Sequence, residues 1–530
     1  MRKLLLGFAL MLVSISSTMA QQKYWAYFTD KANVDYSALK SLTADAIWRR
    51  SMNGFPIEHE EDKPVNLFYV QSVSHLADSL GWSSRWLNAQ AFYGDENQAE
   101  MIRSLPFVKR VSAMQSHGVL AESKNQNAFA GEDEFERLQR RQIQVMQGDT
   151  FITRSINGEG VKVAIFDAGF PSVDYHEAFE HIRSNERIIK TFDFVKNRPY
   201  VYAKHSHGTM VLSNVAGMHN DYPLGVATGA TFLLARTEGP GEVKSEEDRW
   251  IAALEWAEAL GVKVVNSSLG YGYHRYMEED MDGKTSPVAR AANKGAKRGV
   301  LIVNSAGNEG TDFWETIVTP ADADSVLAVG GVDPNINIHI DFGSYGPTAD
   351  KRMKPNVSHY AEAVVADPKG TITTAYGTSF SSPLTTGFAA CVAQMHPDWS
   401  AMELFKEIEK SAHLYPYYDY AHGFGIPQAT YFTNEAEEPV VTFEAILETD
   451  SITITAYDYR DLNLKANSFI GLNHMYVHVE NENGFLNKYW VVRMEPLQSF
   501  TLTLEEMDTR IEDPTRIRIY LNGYTQEIDL

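Results

Sequence analysis

The stretch Val161-Lys162-Val163-Ala164-Ile165-Phe166-Asp167-Ala168-Gly169 ends a short apolar run on a carboxylate followed by small residues. A run of this length bounded by turn residues has the pattern of a buried strand. Four more runs of the same kind follow at Thr231–Ala235, Val262–Val265, Val300–Val303 and Ser325–Val329. Between them the periodicity changes. Trp250, Ala253, Leu254, Ala257 and Leu260 recur at helical spacing until Gly261, and Ser245 with Asp248 predicts a capping box ahead of them. Ser400 and Glu403 predict a second box ahead of Leu404 and Ile408. Short apolar strands alternating with helices over residues 139–433 make the fold class α/β, with a mostly parallel sheet flanked by helices on both faces. In such sheets ligands bind at the carboxyl ends of the strands. Asp167 stands at one of those ends.

Residues 21–112 read as a smaller α/β unit. Tyr24-Trp25-Ala26-Tyr27-Phe28 and Val65-Asn66-Leu67-Phe68-Tyr69-Val70 predict strands, and Ala44–Met52 and Asn97–Leu105 predict helices. The stretch 113–138 is polar with little periodicity and predicts an exposed linker. Beyond 434, Ser451-Ile452-Thr453-Ile454-Thr455-Ala456 and Arg516-Ile517-Arg518-Ile519-Tyr520 alternate apolar with polar, predicting a β-rich domain over 434–530. At the other end, Arg2 and Lys3, the apolar Leu4–Ile15 and then Thr18-Met19-Ala20 follow the order of a secretory signal over residues 1–20, cut near Ala20. The apolar part is shorter than the roughly 20 residues a bilayer span requires. Export without a transmembrane anchor is therefore expected, to the medium, the cell surface or a periplasm.

The 530 residues carry a formal net charge of −22, with 44% hydrophobic and 22% charged residues. That is the composition of a globular protein, and such acidity argues against nucleic acid as a partner. Cys391 is the single cysteine, so no internal disulfide forms and stability must come from packing or bound ions. It lies in Gly387-Phe388-Ala389-Ala390-Cys391-Val392-Ala393, the pattern of a buried helix face, and is expected to be inert.

Two further segments set reactive side chains beside glycine. His205-Ser206-His207-Gly208-Thr209-Met210-Val211 predicts a helix start. So does Tyr376-Gly377-Thr378-Ser379-Phe380-Ser381-Ser382-Pro383, with proline in the first turn. A serine hydroxyl is a weak nucleophile alone. It needs a neutral imidazole to take its proton and a carboxylate to hold that imidazole. Glycine beside each group lets a substrate backbone approach, and a serine at a helix N-terminus sits where the dipole favours an oxyanion.

In the order Asp, His, Ser these segments resemble the subtilisin-like peptidase family, the subtilases. Phe166-Asp167-Ala168-Gly169 resembles the family's aspartate segment, His207-Gly208-Thr209 with Val215-Ala216-Gly217 its histidine segment, and Gly377-Thr378-Ser379 with Pro383 its serine segment. The resemblance implies a secreted serine endopeptidase, with Asp167 orienting His207, His207 as general base and then acid, and Ser379 as the nucleophile that carries the acyl group. Asn304-Ser305-Ala306-Gly307-Asn308-Glu309-Gly310 resembles the family's oxyanion segment and implies Asn308 as the donor. Asn266-Ser267-Ser268-Leu269-Gly270 resembles the segment that pairs with substrate. Ser268, Leu269 and Gly270 would then form one wall of the specificity pocket, and Ala306 and Gly307 the other. The same resemblance implies protein or peptide substrates, no cofactor for the chemistry, and room for structural calcium. It also implies that residues 21–112 are a propeptide that assists folding and then inhibits.

The chain departs from the family pattern in places. Ala168 stands where Thr or Ser is usual, Phe380-Ser381 where Met-Ala is usual, and Asn356 of Lys354-Pro355-Asn356-Val357 where Asp is common. His205 lacks an adjacent glycine and reads as a surface or structural histidine. Glu238, Glu242, Glu246 and Glu247 fall on the expected rim of the cleft and read as a solvated acidic loop. Three rivals remain to be weighed. Relatives that use Glu in place of His at acid pH are disfavoured by His207. A catalytically impaired peptide-binding pseudo-peptidase would require loss of one of four groups that are all present. A nucleotide-binding fold is disfavoured because no phosphate loop or dinucleotide fingerprint follows a strand.

Overall fold

The computed structural model describes residues 22–114, 132–239, 246–273, 275–433, 439–458, 473–507 and 514–530. The predicted signal, residues 1–20, lies outside them. The N-terminal unit is a four-stranded antiparallel sheet. β1 (Gln22–Phe28) lies between β3 (Ala89–Gly94) and β4 (Val108–Met114), and β2 (Ser79–Ser84) pairs with β3. Helices α1 (Ala44–Met52), α2 (Leu67–Leu76) and α3 (Glu96–Arg103) accompany it. The strand expected over Val65–Val70 is instead the entry to α2. Asn66 caps that helix, accepting from the Phe68 N–H at 2.9 Å, and Val73 packs among Tyr24, Phe28 and Phe92. A short apolar run without alternation does not choose between strand and helix until its packing does. β4 runs to Met114 and α4 (Glu132–Gln144) begins at Glu132, so regular structure enters the polar stretch 113–138 from both ends. Residues 115–131 lie outside the described residues. α4 escaped notice because two of its buried residues are Gln139 and Gln142, whose amides donate to loop carbonyls such as Leu224 at 2.7 Å.

The five apolar runs become five of seven parallel strands, and Ile188–Asp193 and Val357–Tyr360 are the two not expected. The seven are β5 (Lys162–Asp167), β6 (Ile188–Asp193), β7 (Thr231–Arg236), β8 (Val264–Ser267), β9 (Leu301–Ser305), β10 (Val326–Val332) and β11 (Val357–Tyr360), in the order β11-β10-β9-β8-β5-β7-β6. The chain leaves β5 to build one side of the sheet and crosses back from β7 to β8 on the other. Asp167 thus ends the strand at which the order reverses, the usual place for a ligand crevice. Helices α5 (His207–Ala216) and α8 (Thr378–Met395) cover one face, and α6 (Glu247–Ala259) and α7 (Pro287–Lys297) the other; α9 (Ala401–Ser411) follows α8. The predicted box at α9 is present, with Ser400 and Glu403 exchanging hydrogen bonds of 2.7 and 3.1 Å. The box predicted at α6 starts from Ser245, which lies outside the described residues. Glu246 is the N-cap but its carboxylate accepts from the Gly239 N–H at 2.7 Å and not from the helix's first amides, and Asp248 is turned to Lys23 at 2.5 Å and to the Trp82 N–H at 2.8 Å. A partner from another part of the chain took the carboxylate.

That partner belongs to the N-terminal unit, which packs Trp25, Tyr27, Trp86 and Met114 against Trp250, Ile251 and Leu254. Its contacts reach the sheet edge opposite Asp167. Arg49 of α1 donates to the carbonyls of Glu258, Val262 and Arg298 at 2.9, 2.5 and 3.0 Å, which close α6, precede β8 and close α7. Two of these carbonyls lie at helix ends, where the helix supplies fewer partners. Arg50 pairs with Asp62 at 2.7 Å and with Glu258 at 2.8 Å, and Arg298 pairs with Asp62 at 3.1 Å, all with side chains 0% exposed.

After α9 comes the β-rich part. A three-stranded sheet containing Phe443–Leu447, Ser451–Ala456 and Ser499–Thr503 packs on a four-stranded one containing His474–Asn481, Leu486–Arg493, Pro514–Leu521 and Tyr524–Asp529. It rests on the catalytic part through Tyr476 and Tyr520 against Leu414 and Tyr417. Among the described residues no helix is long and apolar enough to cross a membrane. Cys391 is fully buried in α8, and burial pushes its thiol far up, in line with an inert core residue.

Candidate active site

Asp167 is buried at the end of β5, where its Oδ1 accepts from the Ala168 N–H at 2.7 Å. The backbone thus supplies a donor beside Ala168, which has no hydroxyl. α5 begins with His207 and comes unusually close to β5. A Cβ on Gly208 would lie 2.4 Å from the Gly169 carbonyl oxygen and 2.9 Å from Asp167 Cβ, so only glycine fits. His207 Nδ1 then lies 2.9 and 3.0 Å from the two carboxylate oxygens. A carboxylate accepts only, so Nδ1 holds the ring proton and Nε2 is left as the base. Burial pushes the His207 pKa down, but the Asp167 charge and hydrogen bond outweigh it and the net shift is upward.

Ser379 is the second residue of α8, after the N-cap Gly377 at φ +140°. Pro383 falls in the second turn, one turn later than the sequence suggested. It has no N–H to give the carbonyl four residues back, which is that of Ser379. The Ser268 hydroxyl donates there instead, at 2.9 Å, while the Ser379 hydroxyl donates to the Ser268 carbonyl at 3.4 Å. Ser379 is tied to the expected substrate wall in both directions. Asn266 holds this pair from below. Its Nδ2 donates to Ser268 Oγ at 3.1 Å, and its Oδ1 accepts from Ser382 at 3.0 Å and Thr386 at 2.9 Å.

Asn308 Oδ1 accepts from the Thr378 N–H at 2.8 Å. A backbone N–H can only donate, so the orientation of the amide is fixed and Nδ2 faces away. Asn308 Nδ2 and His207 Nε2 are both buried, and neither makes a hydrogen bond to a described residue. Buried polar atoms are rarely left this way, and both residues contact chain neighbours of Ser379: the His207 ring lies 5.7 Å from that of Phe380, and Asn308 accepts from Thr378.

Sequence reasoning missed the support around Asp167. Arg236, fully buried at the end of β7, donates to the Ala168 carbonyl at 2.9 Å and to Asp193 at the end of β6 at 3.0 Å. A charged residue closing each of two apolar strands was the available signal. Asn266, a polar residue inside a buried strand, was another. His205 is exposed, and its Nδ1 accepts from the His207 N–H at 3.3 Å, a structural contact. The acidic rim is not solvated. Glu238, Glu246 and Glu247 are at most 5% exposed. Burial pushes the Glu246 carboxyl up to about 7, the Tyr276 hydroxyl donates to Glu247 at 2.5 Å, and Glu242 lies outside the described residues. These carboxylates face protein partners, which a loop composition cannot reveal.

A profile of the subtilase family matches residues 158–434, and one of the peptidase S8 propeptide domain of Bacteroidota matches residues 23–130. The chain belongs to the subtilase family. It is 30% identical over 275 residues to subtilisin DY of Bacillus licheniformis, covering 51% of this chain and 90% of that one. It is 30% identical over 274 residues to subtilisin Savinase of Lederbergia lenta, with 51% and 90% covered. A solved psychrophilic protease, S41, covers 52% of this chain and 92% of its own at 24% identity and a TM-score of 0.43. This subtilase is a serine endopeptidase, a hydrolase of peptide bonds with a propeptide domain ahead of its catalytic part.

The expected walls of the subtilase cleft meet here. Ser268–Gly270 continues β8 and Ala306–Gly307 continues β9, and the Asn304 amide donates to the Leu269 carbonyl at 2.9 Å. For structural calcium, no group of three or more His, Cys, Asp or Glu that could hold a metal occurs among the described residues. At the segment where the family commonly has Asp, the buried Lys354 ammonium donates to Asn356 Oδ1 at 2.8 Å.

Proposed function

We propose that Ser379, His207, Asp167 and Asn308 carry out the endopeptidase chemistry. The observation behind this is the pairing of His207 Nδ1 with both oxygens of Asp167, with Nε2 left buried and unpaired. His207 Nε2 takes the Ser379 proton as Oγ attacks the peptide carbonyl, and Asp167 stabilises the imidazolium that results. The oxyanion forms at the start of α8, where the Ser379 N–H and Asn308 Nδ2 donate to it. His207 then gives its proton to the leaving amine, and water attacks the acyl-enzyme by the reverse route. Ser268–Gly270 and Ala306–Gly307 flank the substrate chain. No step requires a cofactor.

Residues 1–20 direct export, and the mature enzyme works outside the cytoplasm. Residues 21–112 act as inhibitor until the chain is cut within 113–138. A fluorophosphonate reagent is expected to label Ser379, and Ser379→Ala to lose labelling and proteolysis and to stay uncut between 113 and 138. Proteolysis at the wild-type rate by Ser379→Ala would refute the assignment.

A further inference from the structure

Gly270 and Gly272 both face one side chain. A Cβ at Gly270 would lie 2.1 Å from Val318 Cγ2, and a Cβ at Gly272 would lie 2.9 Å from Val318 Cγ1. The Val318 N–H donates to the Ala306 carbonyl at 3.1 Å. Val318 is thus bonded to one wall of the cleft and packed against the other. The next residue is fixed as well, since Thr319 and Tyr271 exchange backbone hydrogen bonds of 2.8 and 3.0 Å. Trp314, 4% exposed, packs beside Val318 with its Nε1 3.3 Å from a Cβ at Gly272. Val318 is itself 3% exposed. A side chain held this way does not swing aside, because close-packed interiors leave no space to receive it.

We propose that Val318 is the floor of the primary specificity pocket and restricts the residue before the scissile bond to glycine, alanine or serine. This rests on the reading of Ser268–Gly270 and Ala306–Gly307 as the pocket's walls. Glycine walls leave the depth of a pocket to whatever lies behind them. Here an isopropyl group stands against both Gly270 and Gly272, so an aromatic ring or long aliphatic chain entering between the walls would meet it. A larger substrate side chain must displace Val318 against its backbone bonds or stay in water. Nor does the neighbouring Glu309 offer a site for a basic side chain. Its carboxylate accepts from the Ser344 hydroxyl at 2.8 Å and is half-buried, and burial pushes its pKa up.

The test compares kcat/KM of the full chain, as it matures on expression, for peptides differing only at that residue. Wild type is expected to prefer alanine over phenylalanine by at least about tenfold. Val318→Gly should shift that ratio toward phenylalanine by at least about tenfold, with Val318→Ala in between. A ratio does not depend on how much of each variant folds, and fluorophosphonate titration counts the active sites. Wild type that cuts after phenylalanine or leucine as readily as after alanine overturns the proposal, as does a ratio unchanged in both variants. Wild type that neither cuts nor labels overturns the Ser379 assignment, and this inference falls with it.

Discussion

At the scale of single residues, the site is built from atoms with a partner on one side only. Asn308 spends its oxygen on the Thr378 N–H, and its Nδ2 is paid no hydrogen bond by the described protein. On the proposed reading, such a donor serves charge that exists only in the transition state. Asn308→Ala should therefore lower kcat by about 10²–10³-fold, the magnitude known for subtilisin itself on loss of its oxyanion asparagine, with KM little changed. A change in KM alone would make Asn308 a substrate anchor. His207 sets the pH response. Its pKa is raised in the fold, so activity should rise through a limb above the ordinary imidazole value of about 6.5, as Nε2 loses its proton. The stability contribution of the same group runs the other way. It is fully present below the unfolded pKa and is lost as pH rises through the raised folded value. An activity optimum near pH 3–4 would contradict the assignment.

At the scale of elements, the parts of the fold legible in sequence were those that depend on one strand or helix at a time. The strands around Val163, Val265, Val303 and Ala328 were read from apolar runs, and α9 from its own capping box, because these signals are local. What failed depended on a distant partner. Asp248 is the expected capping-box partner of Ser245 and is held instead by Lys23 and Trp82, 225 and 166 residues away in the chain. The helix at Leu67 was read as a strand because its apolar residues were counted without the sheet face they pack on. The four residues proposed for the chemistry stand out in sequence because glycine lies beside or near them, and the close approach of Gly208 to Gly169 gives one such glycine its reason. Arg236 and Asn266 carry no such mark, and their roles come from strands that are neighbours only in the folded sheet.

At the scale of the whole molecule, the N-terminal unit grips the catalytic part at a point remote from Ser379. Glu258 faces both Arg49 and Arg50 with all three side chains at most 2% exposed. Removing one member of a buried ionic cluster leaves the others uncompensated, at a cost of about 3–5 kcal/mol. In a chain kept uncut by Ser379→Ala, Glu258→Ala should lower the urea midpoint at which the N-terminal unit detaches, followed by the fluorescence of Trp82 and Trp86. An unchanged midpoint would mean that the apolar contact of Trp25 and Trp86 carries the docking alone. The cluster has a kinetic consequence too. Asp248, Glu255 and Glu258 lie along one helix, and each takes its partner from the N-terminal unit. When that unit departs, all three carboxylates return to water as a single anionic stripe. A cationic surface approaching it is then drawn in over distances of a Debye length, about 8 Å at physiological ionic strength. Recapture of the free unit therefore slows as salt is added, whereas its escape follows the buried contacts and responds far less to salt. If the N-terminal unit inhibits as proposed, the salt of the surroundings sets how long the freed enzyme stays uninhibited.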